Sequence, residues 1–283
     1  MNATAMSASQ GTDRNGPAAV LKALVHGAFR KLPASWYWRF LARRVGYFDP
    51  ELRLLRYLCD RNSSAVDVGA SNGGYAVHML QHASRCIAFE ARPRAAAALA
   101  RTLRARPGSR LRVEAVALSD HAGEARLRVL TADTGRSTIE DANPVEQAGA
   151  VEVLAVPMRR LDDYAGDIGP VGCIKIDVEG HEEAVLRGAA GILLRDRPAL
   201  IIEVEERHKS GSVAAVNRFL GKLGYRGFFY RGGRLHAIDT FDPAVHQDAA
   251  DINRRRGGEP VYVNNFLFFS GASLSKVCSL IAH

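Results

Sequence analysis

The stretch Asp67-Val68-Gly69-Ala70-Ser71-Asn72-Gly73-Gly74-Tyr75 decides how the rest of the chain is read. An apolar run over Ala65–Gly69 ends in a glycine-rich turn, and Gly74–His82 follows with helical periodicity. Glycine has no side chain, so such a turn lets the backbone approach a ligand closely. The glycines stand at 69, 73 and 74, which breaks the dinucleotide spacing Gly-x-Gly-x-x-Gly, and no phosphate-binding lysine follows. The turn is either a plain strand-to-helix connection or a seat for a ligand with no pyrophosphate to cradle.

Reading outward, Cys86–Glu90 is a second strand that closes on an acid. An acidic residue roughly 20 positions past the turn, at the end of the second strand, can accept both hydroxyls of a ribose. Glu90 therefore points to an adenosine-type ligand. Strands and helices then alternate. Ala95–Arg104 reads as a helix, Arg112–Leu118 as a strand, and Glu124–Leu130 and Val151–Val156 as strands around a polar loop at Thr131–Ala150. Cys173–Val178 is a buried strand, Glu182–Leu194 a helix, Leu200–Val204 a strand and Ser212–Leu223 a helix. Tyr225–Tyr230 and Leu235–Ile238 form a hairpin around Gly232-Gly233, Asp248–Pro260 is a charged linker, and Val261–Phe269 is the last strand. This alternation predicts an α/β fold with a mostly parallel sheet covered on both faces.

The most informative run is Ile174-Lys175-Ile176-Asp177-Val178-Glu179-Gly180-His181-Glu182-Glu183. Lys175 lies inside an apolar strand, where an unpaired charge is costly, so it needs a carboxylate partner. Alternation places Lys175, Asp177 and Glu179 on one side while the strand lasts. Asp177 then falls at the carboxyl end of a central strand, where open α/β sheets bind ligands. Asp67, Asp177 and Glu203 are the partners this arrangement offers to Lys175. The Asp-x-Glu-x-His spacing can also hold a metal, but one short turn rarely supplies a whole site, and no metal is assigned.

Composition narrows the class. The chain has 283 residues, 47% hydrophobic and 24% charged, enough for one large α/β domain with extensions. The formal net charge is +8, carried by scattered residues that are mostly arginine. With no base-stacking motif, zinc-finger spacing or basic heptads, nucleic acid is not read as a partner. Cys59, Cys86, Cys173 and Cys278 form no Cys-x-x-Cys pair, which suits a reducing cytoplasm. No apolar run approaches the ~20 residues of a membrane span, and the polar N-terminus does not read as a secretory signal. Residues 1–16 read as a disordered tail and 17–60 as a helical extension, with the catalytic domain over 61–283. Within the extension Val20, Leu21, Leu24, Val25, Ala28, Phe29 and Leu32 recur at helical spacing, and Trp36, Trp38, Arg39, Arg43 and Arg44 follow Pro33. Such a basic amphipathic helix either packs as a lid or makes a peripheral membrane contact.

The turn at Asp67, Glu90, Ala115-Val116-Ala117-Leu118-Ser119-Asp120, Gly135-Arg136-Ser137-Thr138 and above all Ile174–Leu186 with Arg187-Gly188-Ala189 resemble the FkbM family of S-adenosylmethionine-dependent methyltransferases. Ile201-Ile202-Glu203-Val204-Glu205 and Asn264-Asn265-Phe266 match its later strands, so the resemblance covers roughly Asp49 to Phe269. It implies a class I methyltransferase, Rossmann-like fold with a seven-stranded, mostly parallel sheet and an antiparallel last strand. It also implies S-adenosyl-L-methionine as cofactor and O-methylation of a sugar or other small natural-product hydroxyl. By the same resemblance Asp67, Gly69, Asn72 and Gly73 surround the methionine part of the cofactor, Glu90 holds the ribose and Ala117 flanks adenine. Asp177 faces the methyl group and the acceptor, and Glu203 and His208 line the acceptor pocket. Asp177 and His208 are the candidate bases. Two other readings stand beside it: a protein of this fold that binds without catalysis, and an NAD-dependent oxidoreductase.

Overall fold

The computed structural model describes residues 49–104, 110–252 and 254–282. The expected tail over 1–16 and the basic helix of the extension lie outside the described residues. The strands are β1 (Ser64–Val68), β2 (Arg85–Phe89), β3 (Leu111–Glu114), β4 (Ala117–Leu118), β5 (Gly123–Leu130), β6 (Ser137–Thr138), β7 (Val151–Arg159), β8 (Val171–Ile176), β9 (Ala199–Glu203), β10 (Arg226–Arg231), β11 (Arg234–Ala237), β12 (Arg255–Arg256), β13 (Glu259–Pro260) and β14 (Asn265–Phe269).

Eight of them form one sheet in the order β11-β10-β14-β9-β8-β1-β2-β3. β1, β2, β3, β8 and β9 pair in parallel, and β14 is antiparallel to both β9 and β10. This is the class I methyltransferase arrangement, with an eighth strand added where the hairpin at Gly232-Gly233 folds β11 onto the edge. The central strands β1, β9 and β14 are buried almost along their length, as expected of apolar runs covered on two faces. Alternate residues feed two separate cores. Val66, Val68, Ile174, Ile176 and Ile202 pack on one face, and Ala65, Cys86, Cys173, Ile201, Leu267 and Phe269 on the other.

That second face carries the chemistry. Asp67, Lys175, Glu203 and Asn265 share its parity, so they stand in line with Ala65, Cys173, Ile201 and Leu267 towards the carboxyl ends of their strands. The face is covered in part by Leu54, Leu55 and Leu58, from residues assigned by sequence to the extension. The compact unit accordingly begins at Asp49.

Three stretches differ from expectation. The strand expected over Arg112–Leu118 divides: β3 stays in the large sheet, and β4 joins a second sheet ordered β4-β7-β5-β6. The helix expected over Glu182–Leu194 divides into Glu182–Arg187 and Ala190–Asp196. The break lies at Gly188, where a Cβ would stand 1.9 Å from the Ser119 carbonyl oxygen. Close approach to the second sheet therefore requires glycine there and interrupts the helix. The linker Asp248–Pro260 holds the short β12–β13 pair.

Candidate active site at the carboxyl edge of the sheet

The glycine turn is built by close approach. Gly69 and Gly73 adopt φ of +78° and +82°, in the left-handed region. A Cβ at Gly69 would lie 1.8 Å from the Asp177 carbonyl oxygen, so the turn after β1 rests directly on the turn after β8. Asp67 is 2% exposed and its Oδ2 accepts the Ala76 amide at 2.8 Å, anchoring the helix Gly74–Met79. Burial pushes its carboxyl up to about 7 against the opposing pull of Lys175. Asn72 is exposed and its Oδ1 accepts the Gly74 amide at 3.1 Å, which tightens the turn.

Glu90 closes β2 and is buried. Its Oε2 accepts the Ser71 amide at 2.7 Å, and its Oε1 the Arg92 amide at 2.9 Å. The Arg92 guanidinium bridges both oxygens, at 2.8 Å from Nε and 3.0 Å from Nη2, and also reaches the Thr134 carbonyl. A carboxylate offers about four lone-pair sites, and four donors fill them. Ribose hydroxyls at Glu90 would take the two sites now held by the guanidinium. Charge-assisted hydrogen bonds contribute about 1.5–3 kcal/mol each. Glu90→Ala is expected to weaken S-adenosylmethionine binding at least ~10-fold in calorimetry while the fold persists; an unchanged dissociation constant in a folded variant would remove Glu90 from the cofactor site.

Lys175 is the hub of the neighbouring cluster. Its ammonium is 1% exposed, 3.6 Å from Glu203 Oε2 and 3.9 Å from Asp177 Oδ2, two of the three carboxylates that the strand pattern offered it. It donates to Asn265 Oδ1 at 3.0 Å and to the Ile176 carbonyl at 3.4 Å, and stands 5.1 Å from the centre of the Tyr75 ring. Burial alone would lower its affinity for the proton; Asp177 and Glu203 outweigh that and raise it. Burial raises the carboxyls of Asp177 and Glu203 well above the usual carboxylate range, and Lys175 opposes the rise in both. Glu51 belongs to the same electrostatic group: burial and Asp49 push it up to about 8, and Lys175 pulls it down.

The turn after β8 is held by the second sheet. Glu179 adopts φ of +55°, and its carbonyl accepts Thr138 Oγ1 at 2.8 Å and Asn143 Nδ2 at 2.7 Å. His181 links Ser119 Oγ, 2.9 Å from Nε2, to Glu140 Oε2, 3.3 Å from Nδ1. Burial lowers the pKa of this imidazole, so it serves the network as a neutral ring. Ser119, Glu140, His181, Arg126, Arg187 and Lys209 help to line a cleft of about 440 Å³ between the second sheet and the helix Glu182–Arg187. Ala117 sits in the small core of the second sheet, with Ala91 packed against the same cluster.

His208 is placed differently from Asp177 and Glu203. It is 4% exposed, with Nε2 3.0 Å from Glu179 Oε2 and 3.9 Å from Glu205 Oε1, at an orientation that makes no hydrogen bond. Burial disfavours its charge, but Glu179 prevails and raises its pKa. The geometry gathers Asp177 and Glu203 around Lys175, and places His208 beside Glu179 and Glu205 instead.

The residues fit a ligand with a polar, partly cationic end and a ribose. Among the described residues Glu51 Oε2 is buried without a hydrogen-bond partner, within the field of Lys175 and Glu203, and Tyr75 Oη is buried in the field of Asp49, Glu51 and Glu203. A buried, unpaired polar atom calls for a missing partner. Sequence reasoning passed over Glu51, Tyr75 and Arg92. Tyr75 ends the glycine motif and carried a usable signal; Glu51 and Arg92 had none, because their roles come from distant segments. Among the described residues no group of three His, Cys, Asp or Glu side chains could hold a metal ion, and no helix is long and apolar enough to cross a membrane.

The Methyltransferase FkbM domain profile matches residues 67–226, more than half of the chain. No curated protein matches it. Among solved structures, an FkbM methyltransferase from Methylobacillus flagellatus is similar, with a TM-score of 0.45 and 17% identity over 74% of this chain. The alignment spans 44% of that relative's length. An rRNA methylase from Streptococcus thermophilus gives a TM-score of 0.45 at 12% identity, covering 78% of this chain and 94% of that one. Fibrillarin from Aeropyrum pernix with natively bound S-adenosyl-L-methionine gives 0.40 at 14%, covering 78% and 73%. By sequence profile, sheet order and the disposition of the glycine turn, the chain belongs to the FkbM family of S-adenosylmethionine-dependent methyltransferases.

Proposed function

We propose that the chain methylates a hydroxyl group of a sugar or another small natural-product acceptor, with Asp177 as the base. The observation that carries this reading is the pair of carboxyls, Asp177 and Glu203, that share the buried Lys175 ammonium where the turn after β8 meets the glycine turn. When bound, S-adenosylmethionine supplies an electrophilic methyl group on a sulfonium. Asp67, Gly69 and Gly73 shape the turn that would receive its methionine portion, and Glu90 would hold its ribose.

The rest of the reaction is alignment and proton removal. Asp177 accepts the acceptor's hydroxyl proton. Lys175 keeps a share of this carboxyl ionised despite its surroundings, and Glu203 supplies a second site for the proton. A carboxyl raised towards neutrality is a better base than an ordinary aspartate, because its proton affinity is closer to that needed at the operating pH. The half-exposed edge of Asp177 leaves room for a small acceptor. Free thiols at Cys59, Cys86, Cys173 and Cys278 support a cytoplasmic setting.

The test is incubation of a cell extract with methyl-labelled S-adenosylmethionine and mass spectrometry of the products. A base-stable methyl ether is expected. Label found only on nitrogen or carbon would overturn the hydroxyl assignment. The pH profile adds a sign check. The base must be deprotonated, and its folded pKa is raised, so turnover should climb with pH above about pH 5 instead of levelling off near pH 4. A rate that is flat from pH 5 to pH 8 would exclude Asp177 as the proton acceptor.

A further inference from the structure

Glu90 carries more donors than a ribose site can keep. The Ser71 and Arg92 amides and the Arg92 Nε and Nη2 fill its lone-pair sites, at distances between 2.7 and 3.0 Å. The two amides belong to the backbone on either side of the carboxylate and stay there. The guanidinium stands at the end of a long side chain and can leave. Ribose hydroxyls and the guanidinium therefore exclude each other at Glu90.

This pair differs from the ion pairs of the surface. Its side chains are 11% and 4% exposed, against 46% and 27% for Arg112 and Glu114. Water and salt screen it little, and a guanidinium bridging both carboxylate oxygens is a strong arrangement. A third bond steadies it, because Nη1 also donates to the Thr134 carbonyl. Thr134 lies in the turn between β5 and β6. The same carbonyl accepts Ser137 Oγ at 2.7 Å. In that turn the Gly135 amide donates to Asp133 Oδ1 at 3.2 Å, and the Arg136 amide to the Asp133 carbonyl at 3.0 Å. Arg92 thus clamps the acid that closes β2 to a turn of the second sheet.

A ligand that binds only the state with Glu90 open has its affinity lowered by the fraction of that state. We propose that Arg92 is a built-in competitor of the cofactor. S-adenosylmethionine binds by expelling the guanidinium from Glu90 and from Thr134, which loosens the β5–β6 turn, and Arg92 thereby sets the affinity for the cofactor. The proposal rests on Glu90 as the ribose residue and adds the side chain that contests it. The opposite role, Arg92 as a support that orients Glu90 towards the ribose, predicts an effect of opposite sign.

S-adenosylmethionine and S-adenosylhomocysteine, titrated by calorimetry into the full chain and into Arg92→Met, test it. Both ligands are expected to bind the variant at least ~5-fold more tightly. Arg92→Lys keeps the charge but cannot bridge both oxygens, so its affinity should fall between the two; it also serves if the methionine variant does not fold. In a Glu90→Ala background the Arg92→Met change should leave S-adenosylhomocysteine affinity unaltered, because competition needs the carboxylate. Hydrogen exchange at the Gly135 and Arg136 amides should speed up when S-adenosylhomocysteine saturates the wild type, and be fast in Arg92→Met with or without it. Equal or weaker binding by the Arg92 variants overturns the proposal. Tightening of S-adenosylmethionine alone overturns it too, since lost repulsion of the sulfonium acts only on the cation. Tightening that persists without Glu90, or exchange that the ligand leaves unchanged in the wild type, does the same. Glu90→Ala separates the two readings. If it weakens binding while Arg92→Met fails to tighten it, only this proposal is lost. If Glu90→Ala binds like the wild type, the ribose assignment falls and this proposal with it.

Discussion

Lys175→Met should lower the stability of the protein by about 3 kcal/mol at pH 8, the lower end of the cost of breaking a buried ion pair. The lower end applies because the partner side chains are partly exposed, 35% for Asp177 and 20% for Glu203. Methionine fills much the same volume, so packing changes little and the effect is electrostatic. It leaves Asn265 Oδ1 without its donor and two carboxylates facing each other without a cation. For a domain of this size the melting temperature should fall by about 6–12 °C. The loss should depend on pH with a definite sign. Asp177 and Glu203 have raised pKa values in the folded protein, so at low pH they are neutral and need no cation. The gap between wild type and variant should therefore narrow at pH 5. Melting curves at both pH values decide it: equal stability at pH 8, or a gap that does not shrink on acidification, would show that Lys175 does not compensate these carboxyls.

Asp177→Asn should reduce methyl transfer by about 10²–10⁴-fold, the range supplied by a positioned general base. The amide keeps the shape of the carboxylate, and the backbone contacts that shape the glycine turn do not involve the side chain. Those contacts are the Asp177 amide donating to the Val68 carbonyl at 3.0 Å and the Asp177 carbonyl packed on Gly69. Folding and S-adenosylmethionine affinity should change by no more than about 3-fold. The measurement is turnover with labelled cofactor beside a cofactor titration. Full turnover would remove Asp177 from the proton path. Glu203→Gln is the companion variant: a smaller loss than Asp177→Asn is expected if Glu203 only takes the proton onward, and the reverse order would exchange their roles.

Several elements of the fold were legible because each depends on a local pattern. Period-two alternation and apolar runs located β1, β8, β9 and β14, and the buried lysine in an apolar strand demanded carboxylate partners that the structure supplies. The division of Arg112–Leu118 between two sheets was not legible. Val113 and Ala117 are both reasonable strand residues, and only pairing with β2 or with β7 separates them. The break at Gly188 likewise depends on the Ser119 carbonyl, far away in sequence.

By itself the sequence determined the fold class, the glycine turn and the need of Lys175 for a carboxylate among Asp67, Asp177 and Glu203, because residue type at a given strand position dictates which charges are buried and on which face. The tertiary structure alone decided what those residues meet. It set Arg92 against Glu90, brought Glu51 and Tyr75 to the Lys175 cluster, and placed His208 between Glu179 and Glu205 instead of beside Asp177. Contacts of this kind join segments remote in the chain, and no periodicity encodes them. They follow from sheet order and from the second sheet folding over the turn after β8.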